Sequence, residues 1–285
     1  MDLPLSCGAV MPTLRELLLD FDPLAGLSLP PQWLQGRTAY GGITTATALA
    51  AAQALSTAAL PPLRSAQVSF IAPASGRLHY QVQPQRLGKS VCHVGVDVSG
   101  QEGLVARLQL VFGQGRPSRV VHDFCEQPPV RGPESYPAIN ADGLAGAIKR
   151  PPSAGLDVAA VVPAFLANFE LRPAAGSLPV SAADNPEIVA WIRHLDAADV
   201  DPEVALVALA DALPPAAFTA YQRPAPVSSI NWSFDLLGAP PSGQWFLLRS
   251  ASQHAAEGYS SQQMQVWDID GRLLMQGRQS VAVFE

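Results

Sequence analysis

The sequence predicts an α+β fold built as two repeats, each a buried central helix wrapped by a curved antiparallel sheet. Three observations carry this. Two helix-forming stretches are almost free of charge, each is followed by a series of strand-like runs, and landmarks recur about 160–170 residues apart, Phe70 with Phe234 and the turn at Gly100 with that at Gly271. The expected units are residues 1–115 and 161–285, joined by a Pro-rich linker over 116–160.

The second helix, Asp201–Leu213, is the more informative. Asp201 suits an N-cap, Pro202 the first turn and Glu203 the positive end of the dipole, while Pro214-Pro215 stop the helix. From Val204 to Leu213 every residue except Asp211 is apolar, all the way round the cylinder, so protein should enclose it. Asp211 is then disfavoured twice, by desolvation and by the negative end of the dipole. An acid that weakens the fold without capping anything is a candidate for chemistry.

In the first unit, Leu14–Leu19 reads as a short amphipathic segment broken at Leu29-Pro30-Pro31, and a strand is expected over Gln32–Gly36. Tyr40-Gly41-Gly42 opens a buried helix over Ile43–Leu60, where the glycines permit a close backbone approach and Pro61-Pro62 end it. Strands follow at Ser65–Ile71, Leu78–Arg86, Ser90–Val98 and Leu104–Phe112; Val94, Val96 and Val98 alternate with polar or small residues, so one face is buried. In the second unit, strands are expected at Phe165–Leu171, Val227–Leu236, Trp245–Ser250, Gln262–Ile269 and Leu273–Phe284, with an apolar segment at Ile188–Leu195. Such a pairing of sheet and enclosed helix, repeated, is a double hot-dog.

Composition excludes several classes. With a net charge of −6 and only 15% charged residues, the chain of 285 offers no basic surface for a phosphate backbone, so nucleic acid is not expected as a partner. Cys7, Cys92 and Cys125 are odd in number and unpaired in spacing, which fits reduced thiols inside a cell rather than a disulfide framework or a zinc site. The first residues, Met1-Asp2-Leu3-Pro4-Leu5, lack a basic segment ahead of the apolar ones, and Ile43–Leu60 is too polar for a membrane span; a cytoplasmic location is expected.

Motifs along both units resemble the acyl-CoA thioesterase II family and its thioesterase-like relatives, which are double hot-dogs of about this length. In the first half the resemblance lies in Tyr40-Gly41-Gly42, in Ser65, Ser69, Phe70 and Pro73, and in Arg86-Leu87-Gly88-Lys89-Ser90, where Lys89 stands for the usual Arg. In the second it lies in Ala210-Asp211-Ala212-Leu213-Pro214, in Ser229-Ile230-Asn231-Trp232 and in Gln276-Gly277-Arg278-Gln279. The family's Asp, Thr and Gln then fall on Asp211, Ser229 and Gln279. A shifted register would put Val227 or Ser228 at the Thr position, and Asn231-Trp232 replaces the family's Asp-His. The resemblance implies an acyl-CoA substrate, no metal or redox cofactor, and association into a dimer or larger homo-oligomer.

Thioester hydrolysis needs a polarised water beside the carbonyl carbon and donors aimed where the carbonyl oxygen becomes negative. A carboxylate of raised pKa accepts the water's proton while a hydroxyl and an amide fix its other hydrogen-bonding directions; Asp211, Ser229 and Gln279 are those three types. Gln279 is the polar exception on a face made by Leu273, Met275, Gly277, Val281 and Val283, and Val227, Ser229, Asn231 and Ser233 are expected to share a face. Backbone N–H groups near Gly41-Gly42 are candidates for the oxyanion. Arg86, Lys89, Arg193 and Arg249 are available to CoA phosphates, though isolated basic residues are usually only solvated. There is no GxSxG elbow, and His79, His93, His122, His194 and His254 lack metal-ligand spacing. Two other readings stay open: a hydratase or dehydratase acting on acyl thioesters, which needs a His partner for Asp211, and a non-catalytic acyl-CoA or lipid-binding protein.

Overall fold

Alternating apolar runs in both halves become strands of one antiparallel sheet, in a computed structural model that describes residues 12–57, 59–139, 162–238, 241 and 243–284. In chain order the elements are α1 (Leu14–Leu19), β1 (Leu27–Ser28), the hairpin β2 (Leu34–Gln35) and β3 (Thr38–Ala39), α2 (Gly41–Leu55), β4 (Leu63–Phe70), β5 (Arg77–Leu87), β6 (Val91–Gly100) and β7 (Gly103–Gly113). The second half contributes β8 (Phe169–Gly176), β9 (Glu187–His194), α3 (Pro202–Ala210), β10 (Val227–Leu236), β11 (Phe246–Ala256), β12 (Tyr259–Asp268) and β13 (Leu273–Val283).

Eleven strands pair in the order β1-β5-β6-β7-β4-β10-β13-β12-β11-β9-β8. Read outward from the centre, β4-β7-β6-β5 is matched by β10-β13-β12-β11, and the seam is the antiparallel pair β4–β10, from Ser65 opposite Asp235 to Ser69 opposite Asn231. Along β6 the valines at 94, 96 and 98 are essentially inaccessible while their neighbours are partly exposed, which is the expected alternation. The inward face packs on α2, whose Ile43, Ala46 and Leu49 are fully buried.

The two central helices touch each other as well as the sheet. Alanine and glycine permit this: a Cβ on Gly42 would stand 2.6 Å from the carbonyl oxygen of Ala208 in α3 and 2.5 Å from the Tyr40 ring. In that gap the Tyr40 hydroxyl donates to the same Ala208 oxygen at 2.7 Å. At the other end of α3, both carboxylate oxygens of buried Glu203 accept the Leu63 N–H of β4, at 3.1 and 3.0 Å. Asp201 caps the helix by accepting from the N–H groups of Glu203 and Val204.

Several boundaries differ from expectation. The helix expected to reach Leu60 ends at Leu55, where Ser56 turns extended well before Pro61-Pro62. The helix expected to reach Leu213 ends at Ala210; Pro214-Pro215 hold Leu213 out of the helical region, and the chain turns instead into a short 3-10 helix, Ala216–Thr219. The strand expected over Gln32–Gly36 is a 3-10 turn, Pro31–Trp33, followed by the β2–β3 hairpin with Gly36 at φ +65°. Phe165 belongs to another 3-10 turn, Ala164–Asn168, pinned by the Asn168 side chain donating to the Gln32 carbonyl at 2.9 Å.

In the expected linker, residues 116–139 are described, and part of that stretch packs rather than merely crossing. Cys125, Val130 and Tyr136 lie against Val189, Trp191, Leu247 and Trp267 on the sheet face turned away from the helices, and the Trp191 indole donates to the Arg131 carbonyl at 2.8 Å. Residues 140–160 of that linker, like Cys7 and the first five residues, lie outside those described. Among the described residues, no helix is long and apolar enough to cross a membrane.

Glu203→Ala leaves the Leu63 N–H buried without an acceptor and should lower unfolding stability by about 1–3 kcal/mol, with Glu203→Gln, which keeps one acceptor oxygen, losing less. Denaturant unfolding of the three proteins checks this, and equal losses would show that the carbonyl-type acceptor is not what matters.

Candidate functional site

Because α3 stops at Ala210, Asp211 becomes its C-cap and its carboxylate lies against the first turn of α2. A Cβ on Gly41 would meet an Asp211 oxygen at 2.7 Å and the Phe70 ring at 2.8 Å, so glycine is required there for the acid to fit. The Gly42 backbone at the start of α2 favours the charged form of the carboxylate. The end of its own helix disfavours the charge, as expected from sequence, and the start of the other helix favours it, but desolvation outweighs that help.

Gln279 comes to the same point from β13. It is 3% exposed, and its Nε2 donates to the Asp211 carboxylate at 2.9 Å. Its Oε1 accepts from Gln262 Nε2 at 2.7 Å, and Gln262 Oε1 in turn accepts the Ala216 N–H at 2.8 Å. Sequence reasoning did not single out Gln262, and alternation alone could not: the inward face of β12 also carries buried Ser260 and Asp268 beside Met264 and Val266, so Gln262 is one of three polar residues there.

Burial pushes the Asp211 carboxyl from 3.8 up to about 7, against the Gln279 and Gly42 hydrogen bonds, which favour the charged form. Burial and the Asp211 charge together hold the Tyr40 phenol well above its ordinary range. An acid poised near neutrality beside a fixed amide can take a proton from a water and return it.

Ser229 lies on the same inward face of the sheet, without a direct bond to either partner. It is half-buried and sits opposite Val281, two residues from Gln279 along β13. Directly opposed residues share a face, and diagonal neighbours stay within reach of long side chains. Among the described residues its hydroxyl has no protein partner, whereas the exposed Ser228 sits opposite Ala282. The expectation that Val227, Ser229, Asn231 and Ser233 share a face fails beyond Ser229: the register shifts between Ser229 and Asn231, so Trp232 and Phe234 are buried while Asn231 and Ser233 are exposed. A cavity of about 210 Å³ opens beside the start of α2, lined by Gly41, Thr44, Phe70, Val227, Ser228 and Ser229. A second of about 240 Å³, largely apolar, is lined by Leu166, Leu171, Ile188, Ala190, Leu213 and Pro214, the last two close after Asp211 in sequence.

The other candidates are engaged elsewhere or stand apart. Arg193 pairs with Glu170 at 2.6 Å and lies over the Trp245 ring, and Arg249 pairs with Glu187. Arg86 and Lys89 are exposed near the β5–β6 turn and make no ion pair among the described residues. His194 meets the Ala205 carbonyl at 2.8 Å, and burial pushes its pKa down to about 4, so it is neutral and turned to the middle of α3. No histidine bonds Asp211 among the described residues. Cys92 is a buried thiol 3.6 Å from the Gly88 carbonyl oxygen.

Residues 29–113 match the family model described as the acyl-CoA thioesterase N-terminal domain, and residues 133–283 match that of the acyl-CoA thioesterase C-terminal domain. No curated protein matches the sequence. Among solved structures, a conserved hot-dog-fold protein of unknown function from Alicyclobacillus acidocaldarius is similar at TM-score 0.75 and 23% identity, over 90% of this chain and 91% of the other. A putative thioesterase II from Thermobifida fusca YX gives 0.73 and 20% over 91% and 92%. A putative thioesterase from Novosphingobium aromaticivorans gives 0.70 and 25% over 91% and 95%. The fold is therefore of the hot-dog type.

Since folding raises the Asp211 pKa, its contribution to stability is full below the unfolded value and is lost as pH rises through about 7. Wild-type unfolding free energy should thus fall between about pH 5 and about pH 8 by roughly 1–4 kcal/mol more than that of Asp211→Asn, as read from denaturant titrations. Parallel pH profiles in the two proteins would show that the carboxyl titrates in its ordinary range.

Proposed function

This chain belongs to the acyl-CoA thioesterase family, and we propose that it hydrolyses an acyl-CoA to the free acid and CoA with a water held by Asp211, Ser229 and Gln279. The observation that carries the reading is the bond from the Gln279 amide to a largely enclosed carboxylate at the mouth of α2. The same reading takes the chain as a double hot-dog, with units in 1–115 and 161–285 joined through 116–160. It is supported by the matched strand order on either side of the β4–β10 seam and by the contact between the two central helices.

Asp211 accepts one proton of the water as its oxygen bonds to the thioester carbon. The second N–H of Gln279 and the free Ser229 hydroxyl orient that water. The oxyanion so formed faces the start of α2, where the first N–H groups of a helix have no partner within it. Collapse of the intermediate breaks the C–S bond, and the proton on Asp211 passes to the departing CoA sulfur, restoring the carboxylate. The apolar cavity beside Leu213 and Pro214 suits the acyl chain. Hydration of an enoyl thioester would ask for an imidazole partner, whereas Asp211 is bonded by the Gln279 amide.

Release of free thiol from acyl-CoAs of several chain lengths tests this. Asp211→Asn, folded, should lose about 10²–10⁴ in kcat, and the wild-type rate should rise with pH through the Asp211 pKa of about 7. Ser229→Ala should lose less, about tenfold, and Ser229→Thr should keep most activity. Acyl-CoA binding without turnover by the wild type would replace this reading with a non-catalytic binding protein, and an undiminished Asp211→Asn rate would remove Asp211 from the chemistry.

A further inference from the structure

We infer that Gln262 is a positioning residue, which fixes through a relay anchored on the backbone N–H of Ala216 which end of the Gln279 carboxamide faces Asp211. The inference rests on the reading of Asp211 and Gln279 as parts of a hydrolytic site, and it concerns a residue that touches neither water nor substrate.

The two ends of a carboxamide are nearly alike in shape and opposite in hydrogen-bonding sense. Turned one way, Gln279 gives Asp211 a donor; turned the other, it gives an acceptor oxygen. While Asp211 is ionised, the first orientation is favoured by the pair itself. Once Asp211 has taken a proton, it can donate to the amide oxygen, and the pair alone no longer prefers the productive orientation. Each turnover passes through that protonated state, so something else has to hold the amide.

Gln262 meets that need. The Ala216 N–H is the first of the 3-10 helix that follows Pro215, and a backbone donor has no alternative sense. Gln262 must therefore present its oxygen to Ala216, at 2.8 Å, and its NH₂ to Gln279, at 2.7 Å. Gln279 must then accept with its oxygen and turn its own NH₂ to Asp211, at 2.9 Å. Gln262 and Gln279 sit directly opposite each other across β12–β13 and are 1% and 3% exposed, so strand register holds the pair and water has little access to replace either bond. Ala216 follows Asp211 by five residues, which closes the relay into a ring through the loop that ends α3.

The surroundings of Asp211 supply no competing charge. From the start of α2 the titratable neighbour is Tyr40, whose hydroxyl is committed to Ala208; from α3, Glu203 lies at the opposite end on Leu63; from β13, Arg278 is exposed on the other face. Among the described residues no charged side chain makes a hydrogen bond or ion pair with Asp211.

Gln262→Met keeps an unbranched side chain of similar length and removes both bonds. In the full-length protein it should lower kcat about tenfold with KM changed less than about twofold, and should move the acid side of the pH–rate profile to higher pH, because the donor that favours ionised Asp211 is no longer held. In a Gln279→Met background it should have no further effect on kcat. Lowered stability with an unchanged kcat and pH profile would overturn the proposal, as would a full additional loss in the double variant.

A measurement on the wild type guards against a variant that fails to fold. The side-chain NH₂ resonances of Gln262 and Gln279, followed by NMR while the Asp211 carboxyl is titrated, should stay protected and keep their hydrogen-bonded character on both sides of that titration. Loss of protection at Gln279 when Asp211 becomes protonated would sink the relay. Absence of thiol release from every acyl-CoA would instead sink the catalytic reading and leave this measurement to decide the relay alone.

Discussion

Everything at the centre of the molecule depends on how closely the end of α3 approaches the beginning of α2. Gly42 can have no side chain because the Ala208 carbonyl occupies that space, and Gly41 can have none because the Asp211 carboxylate does. The same approach brings the Tyr40 hydroxyl onto Ala208, with the Tyr40 ring stacked on Phe165 at 4.1 Å between centroids and on Trp33 at 6.3 Å. Residues from both halves of the chain thus meet at one place. Gly41, Gly42 and Phe70 come from the first half, Asp211 and Gln279 from the second, and the β4–β10 seam holds the two halves in register.

Two acids, buried Glu203 and half-buried Asp211, lie where α3 meets the first half, in different environments. Glu203 lies in the first turn of its own helix, where the dipole favours negative charge, and both its oxygens are spent on one N–H of β4. Asp211 lies at the unfavourable end, accepts from Gln279 of β13, and remains partly accessible against Gly41 of α2, which lines a cavity. Burial raises the pKa of both, and Asp211 lies against Gly41, which lines the cavity at the start of α2. An acid held in this way lowers stability at neutral pH.

Much of this was legible in the sequence because the signals were local. An apolar helix with one acid marked Asp211, an apolar strand face with one amide marked Gln279, and valine alternation marked β6, because burial has to be written into periodicity. The same rule does not isolate Gln262, because Ser260 and Asp268 share its buried face on β12. What the sequence hid were features decided by contacts distant in the chain. The early end of α2 at Leu55 and the 3-10 turns at Pro31–Trp33 and Ala164–Asn168 follow from packing such as that of Asn168 on Gln32. Residues 116–139 read as connection because their apolar side chains are scattered, yet Cys125, Val130 and Tyr136 cover the outer face of the sheet.

The surroundings of Ser229 show why strict alternation was the wrong rule on β10. Trp232 is inaccessible to solvent and belongs to the core beside Phe234, with their rings 4.4 Å apart. Ser229 is three residues earlier, so in a regular strand the two would lie on opposite faces, and burying Trp232 would turn the Ser229 hydroxyl to solvent. The extra residue at the register shift between Ser229 and Asn231 changes that parity. It lets the strand keep its tryptophan in the core while presenting a hydroxyl on the same side as Gln279. A bulge is the one local device that supplies both, and it sits where the strand passes from the core to the cavity beside Gly41.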